Sequence, residues 1–245
     1  MVADLEDAVV PGEKVAARDL VARVFAEPRT AGPLLFVRVN RVDSPFHADD
    51  VAAVAGIAPD AVVLPKATPE AIDALGSEGP PVVAIVESAQ GVRLAYETGT
   101  RRRVLALQIG AVDLGAEVGL EPRDDGLELV YVRSKVVLDS AAAGLRPPFD
   151  VVHLDIAADE ALEAECRLAR SLGLRGKACI HPAQVPIVNR AFDPTETELA
   201  WARRVLAADE EAAAQGRGVF ALDGAMVDLP VVERVRRLLA EAERS

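Results

Sequence analysis

The sequence predicts an α/β fold: a TIM (β/α)8-type barrel, one strand short at its N-terminal end, with a C-terminal helix–hairpin–helix extension. Three observations predict it. Strand-length apolar runs rich in β-branched residues alternate with helix-length segments, as in a parallel sheet with helices outside. The runs carry no polar alternation, so both faces of each strand are buried. The length, 245 residues, is close to the roughly 250 that such a barrel takes.

Strands are expected near Val2–Leu5, Leu34–Val39, Ala61–Leu64, Val82–Val86, Val104–Ile109, Val151–Leu154 and Ala178–Ile180. Helices are expected near Lys14–Phe25, Pro69–Leu75, Val92–Thr98, Gly126–Ala143, Asp159–Leu172 and Val185–Ala191. Seven strands are one fewer than a closed barrel needs. The chain starts almost inside its first strand, so the missing one is expected before it. The barrel is expected over residues 1–193. From Pro194 the pattern changes: one long helix over Thr195–Ala214, then Val219–Leu222 and Ala225–Val227 flanking Asp223-Gly224, a hairpin turn pair. Asp228-Leu229-Pro230 then opens a last helix, with Asp228 as its N-cap. This extension, residues 194–245, is expected to pack on a neighbouring subunit.

Composition narrows the function classes. A net charge of −12 argues against a general nucleic-acid binder, which would present a basic face. No membrane-length apolar run, signal peptide or disulfide framework is present, which points to a cytoplasmic protein. Cys166 and Cys179 lack metal-like spacing, and Cys179, in an apolar run, is expected in the core. GxGxxG and P-loop signatures are absent.

Polar residues gather just past the strand ends, where barrel active sites lie. Glu87 follows the fourth run and Asp113 the fifth. Parallel strands set such ends side by side. Two carboxylates meeting there repel unless they share a proton or a cation, and Mg²⁺ held by two carboxylates and waters is an ordinary solution. In the competing reading each acid caps the helix that follows. Asp4-Leu5-Glu6-Asp7 puts three acids after the first strand, for function or for a helix dipole. Arg38 ends the second strand and needs an anion: Glu6, Asp7 or a substrate carboxylate. Lys66 ends the third, as a rim residue or in a structural salt bridge. His153 and His181 follow the last two strands and read as structural hydrogen-bonding residues; His47, in the polar HADD stretch, reads as exposed.

The strings ADLEDAVVPGEKVAAR, FVRVN, VLPKA, VAIVESAQGV, LQIGAVDLGAEVG, RGKACIHPAQVPIVNRAF and GVFALDGAMVDLPVV occur in this order. Together they resemble the citrate lyase β-subunit-like proteins of the HpcH/HpaI aldolase grouping. The resemblance implies a TIM barrel with a C-terminal extension, in trimers or trimer-based homo-oligomers. It implies a Mg²⁺-dependent carbon–carbon lyase that cleaves or forms a 3-hydroxy-acyl thioester such as citryl-CoA or malyl-CoA. The partners would be an acyl-CoA or acyl-carrier-protein thioester and a 2-keto acid. Glu87 and Asp113 would be the metal ligands. Arg38 would grip the substrate's oxygens, with Lys66 and Glu87 also lining its site. Glu6 and Asp7 would organise the metal's waters and Arg38, and Asp228 would act as acid or base in a neighbouring subunit. Family members carry a segment before the DLED string that supplies the first strand; here Met1-Val2-Ala3 precede Asp4, so the expectation is either a start further upstream or an incomplete barrel with open strand edges. Alternatives are a thioesterase on the same esters, a free-acid aldolase (a group that uses an early His base, poorly matched by His47), and a non-catalytic subunit.

Overall fold

The structure, a computed structural model, describes residues 1–27 and 32–243. It forms two units, Met1–Val188 and Asn189–Ser245.

In the first unit five parallel strands pair in chain order: β1 (Val2–Asp4), β2 (Phe36–Arg38), β3 (Ala61–Leu64), β4 (Val82–Val86) and β5 (Val104–Ile109). Each short apolar run is bounded by a turn-former, Asp60 before β3, Pro81 before β4 and Gly110 after β5. The strands β3 and β4 are buried along their whole length, as strands covered on both faces must be. Ala61, Val63, Val83 and Ile85 share one face and pack with Phe36 and Phe149.

Helices return the chain between strands: α1 (Lys14–Ala26) after a short 3₁₀ turn, α2 (His47–Ile57), α3 (Pro69–Ala74), the pair α4 (Ala89–Arg93) and α5 (Ala95–Gly99), α6 (Ala111–Val118), α7 (Leu127–Ala142), α8 (Asp159–Leu172) and α9 (Gln184–Phe192). Thr68 and Ser88 cap α3 and α4 through their hydroxyls.

The expectations for the sixth and seventh strands need correction. Val151–Leu154 and Ala178–Ile180 are not strands. The pairing survives as two isolated parallel bridges, Gln108 with Phe149 and Asp150 with Lys177, so the barrel is not closed. The pairing residues Asp150 and Lys177 are charged, and an apolar-run criterion passes over them. They are buried because they neutralise each other. Arg133 of α7 donates to both carboxylate oxygens of Asp150, at 2.8 and 3.0 Å, and to Glu165 at 2.7 Å. Lys177 Nζ lies 3.0 Å from Asp150 and 3.1 Å from Glu165.

Three further corrections concern helices and burial. His47 is not in an exposed loop: it opens α2 and is buried, its Nδ1 2.7 Å from the Asn40 carbonyl oxygen. The segment Val92–Thr98 is two short helices rather than one. Cys179 is exposed, not core.

The second unit contains α10 (Glu196–Ala214), the antiparallel hairpin β6 (Phe220–Leu222) and β7 (Ala225–Val227), and α11 (Leu229–Ala242). Thr195 and Glu198 form a capping box on α10. Asp223 and Gly224 both have positive φ, 52° and 79°, which a two-residue type I′ hairpin turn requires. Ala202, Val205, Phe220, Val227, Val232 and Val235 form this unit's core.

Candidate active site

Because β1 to β5 are parallel, the residues at their C-terminal ends share one end of the sheet. Side chains two apart along a strand share a face. Glu87 therefore continues the row Val83, Ile85, and Arg38 follows Phe36, both on the face that carries the Phe36 and Phe149 cluster. The register places Asp4 beside Arg38.

That register makes an ion pair. Arg38 Nε donates to Asp4 Oδ1 at 2.8 Å and its NH2 to Oδ2 at 2.5 Å, a bidentate fork. Its NH1 lies 3.1 Å from Glu6 Oε2 and 4.0 Å from Asp7 Oδ2. The sequence pointed to Glu6 and Asp7 as counter-ions; Asp4 is the closest partner, and only strand register reveals it. Burial alone would raise Asp4. The Arg38 guanidinium and the amides of Glu6 and Ala8 outweigh it and hold the carboxyl below its ordinary value. For Glu6 burial wins: it is pushed up to about 7 despite Arg38, with Asp7, Glu87 and Asp4 adding like charge.

Glu87 is 6% exposed. Burial raises its carboxyl, the Lys66 amide pulls it back, and Asp113 raises it further. Glu87 does not cap the next helix, since Ser88 does. Its side chain lies against Gly110, where a Cβ would sit 2.5 Å from Glu87 Cβ and 2.5 Å from Oε2. Asp113 lies in the first turn of α6. Lys66 ties the two acids together: its backbone N–H donates to Glu87 Oε1 at 2.8 Å, and its Nζ to Asp113 Oδ1 at 2.5 Å. Lys66 has a φ of 50°, a conformation costly for a residue with a side chain and frequent at functional sites.

The rim thus holds Asp4, Glu6, Asp7, Glu87 and Asp113 against Arg38 and Lys66. Burial raises Glu6 and Glu87, neighbouring carboxylates add to the shift, and the excess of negative charge favours a cation. Oxygen donors suit a hard divalent ion such as Mg²⁺, which keeps several waters and takes one or two protein carboxylates. Among the described residues no group of three or more His, Cys, Asp or Glu side chains is placed to hold a metal. Glu87 and Asp113, which share Lys66 as a partner, are the pair of carboxylates that could hold such an ion.

His153 Nδ1 lies 2.9 Å from Glu165 Oε2, in the buried charge cluster. His181 Nδ1 accepts from the Ala183 amide. Asp228, in the second unit, caps α11 by accepting from Val231 N. Sequence reasoning named Asp4 in the acid cluster but not as the partner of Arg38, and it missed Lys14, Asn40 and Gly110. Lys14 and Asn40 are buried behind the turn that carries Glu6.

Residues 1–182 match the family model for HpcH/HpaI aldolase/citrate lyase. The citrate lyase subunit beta of Leuconostoc mesenteroides is 36% identical, over 96% of this chain and 83% of that protein. A (3S)-malyl-CoA thioesterase of Cereibacter sphaeroides is also 36% identical, over 98% of this chain and 85% of its own length. Among solved structures, CitE from Mycobacterium tuberculosis in complex with magnesium, acetoacetate and coenzyme A superposes with a TM-score of 0.84. It is 37% identical and covers 99% of this chain and 89% of its own.

Proposed function

The chain belongs to the HpcH/HpaI aldolase/citrate lyase family, and on that premise we propose that it is a Mg²⁺-dependent carbon–carbon lyase. Its substrate class is a 3-hydroxy-acyl-CoA thioester such as citryl-CoA or malyl-CoA, and its products are acetyl-CoA and a 2-keto acid. The observation that carries the reading is the carboxylate rim: buried Glu87 and half-exposed Asp113 joined through Lys66, beside Arg38 and its acidic partners. The magnesium in the CitE complex supports the choice of ion.

Mg²⁺ held by Glu87 and Asp113 supplies Lewis-acid charge at the oxygens of the keto acid. Arg38 binds those oxygens and stabilises the charge that develops as the carbon–carbon bond breaks. Asp4 and Glu6 hold the guanidinium in its plane. In cleavage a base takes the hydroxyl proton, the keto acid leaves with its new carbonyl, and the bonding pair becomes the thioester enolate. Protonation of that enolate at carbon gives the acetyl thioester. Asp228, supplied by a neighbouring subunit of a trimer-based homo-oligomer, is assigned this acid/base role. Lys66 and Asp7 complete the rim.

A second reading is hydrolysis: the same enolate site followed by attack of water on the thioester, releasing malate or citrate. The malyl-CoA thioesterase relative favours it. One experiment separates the two. Mg²⁺ and acetyl-CoA are incubated with glyoxylate or oxaloacetate and the products read by mass spectrometry, with Glu87→Gln as control. A CoA ester that requires Mg²⁺ and Glu87 supports the lyase. Free acid with released CoA supports the thioesterase. Mg²⁺ binding with no turnover of any thioester would overturn both in favour of a non-catalytic subunit.

A further inference from the structure

Lys14 is 5% exposed, and its ammonium ends beneath the turn that follows β1. Nζ donates to the carbonyl oxygens of Leu5 at 2.6 Å and Glu6 at 2.7 Å, and to Asn40 Oδ1 at 3.0 Å. The Phe46 ring centroid lies 5.5 Å away. All three acceptors are neutral. Burying an ammonium against neutral oxygens is costly, and an apolar side chain would fill the same space under α1 more cheaply. What the ammonium adds is geometry. Two consecutive carbonyls converge on one atom only when both peptide planes of the turn are fixed.

Asn40 doubles the hold. Its Nδ2 donates to the Leu5 carbonyl at 2.8 Å and to Asp50 Oδ2 at 2.6 Å. Asp50, fully buried, also accepts from the Asn40 amide at 2.9 Å and from Arg18 NH1 at 2.8 Å. The rim side is held separately, since Asp4 accepts from the Glu6 amide at 2.9 Å. Both backbone polar groups of Glu6 are therefore fixed, the N–H by Asp4 and the C=O by Lys14 together with the Val9 amide at 3.1 Å. Its carboxylate is left 3.1 Å from Arg38 NH1.

We infer that Lys14 is a positioning residue for Glu6: its buried ammonium sets the turn that aims the Glu6 carboxylate at Arg38. The inference rests on the reading of Arg38 as the substrate-binding cation. It acts through one residue, so a double-mutant cycle isolates it. Turnover of the thioester, and Mg²⁺-dependent binding of the keto acid by calorimetry, are measured for Lys14→Met, Glu6→Gln and the double variant. Lys14→Met lowers kcat by about tenfold or more, as a misplaced group in a site does, and weakens keto-acid binding. In the Glu6→Gln background the same change costs less than about twofold. An equal loss in both backgrounds, as lower stability alone would give, overturns the inference. Should Lys14→Met fail to fold, Lys14→Gln enters the same cycle. A wild-type protein that neither binds Mg²⁺ nor turns over would sink the proposed function instead. The positioning claim is then read by amide hydrogen exchange: Lys14→Met accelerates exchange of the Glu6 and Ala8 amides selectively, and unchanged exchange there overturns it.

Discussion

Gly110 has no side chain because Glu87 occupies the space one would fill. An alanine Cβ there would sit 2.5 Å from the Glu87 Cβ, which cannot swing away, and 2.9 Å from Ile85 Cγ2. Gly110→Ala is therefore expected to push the Glu87 carboxylate off its position. Mg²⁺ affinity measured by calorimetry should fall, and turnover should drop by about 100-fold, with far-ultraviolet circular dichroism unchanged. Glu6 carries the pH dependence. Burial pushes its carboxyl up to about 7, from an ordinary value of 4.5. Between those values the folded protein binds the proton and the unfolded chain does not. Stability from this group is thus lost as pH rises from about 4.5 to 7. With Mg²⁺ chelated, the melting temperature of Glu6→Gln should fall less over this range than that of the wild type; equal slopes would refute the assignment.

At the scale of the element, the legibility of the sequence depended on what fills each strand. β3, β4 and β5 were readable to the residue, because their largely apolar runs are bounded by Asp60 and Pro65, Pro81 and Glu87, and Arg103 and Gly110. The sixth and seventh pairings were misplaced because their pairing residues are Asp150 and Lys177, a buried pair whose charges cancel. Hydropathy sees the flanking runs, Val151–Leu154 and Ala178–Ile180, instead. α2 was missed because its first turn, His47 to Asp50, looks like a polar loop, yet His47 and Asp50 are buried through hydrogen bonds. The rim residues Arg38, Glu87 and Asp113 were visible from their positions after strands. Asp4 needed strand register, Gly110 needed a clash, and neither is written in one-dimensional spacing. The charge cluster makes its own prediction. Arg133 is fully buried against Asp150 and Glu165, so Arg133→Met leaves carboxylate buried with one cation fewer. Denaturant unfolding should show a loss of about 3–5 kcal/mol, with little change in Mg²⁺ affinity in the variant that remains folded.

At the scale of the molecule, the first unit carries the acidic rim and the second carries Asp228. If Asp228 serves a neighbouring subunit, an oligomer mixed from Glu87→Gln and Asp228→Ala chains contains sites with both groups intact. Some activity should return on mixing the two inactive proteins; none in verified mixed oligomers would exclude the shared site. No helix among the described residues is long and apolar enough to cross a membrane. The strand order β1-β2-β3-β4-β5 means that each strand pairs with the one made just before it. Every rim group from Asp4 to Asp113 lies in the first 119 residues, on these five strands, the turns after them and the first turn of α6. During synthesis the ribosome therefore delivers the whole acidic rim in reading order, before α7 exists. The carboxylates and their counter-charges, Arg38 and Lys66, thus come from one contiguous stretch of chain, so a fragment ending before α7 would still carry every charged group of the rim.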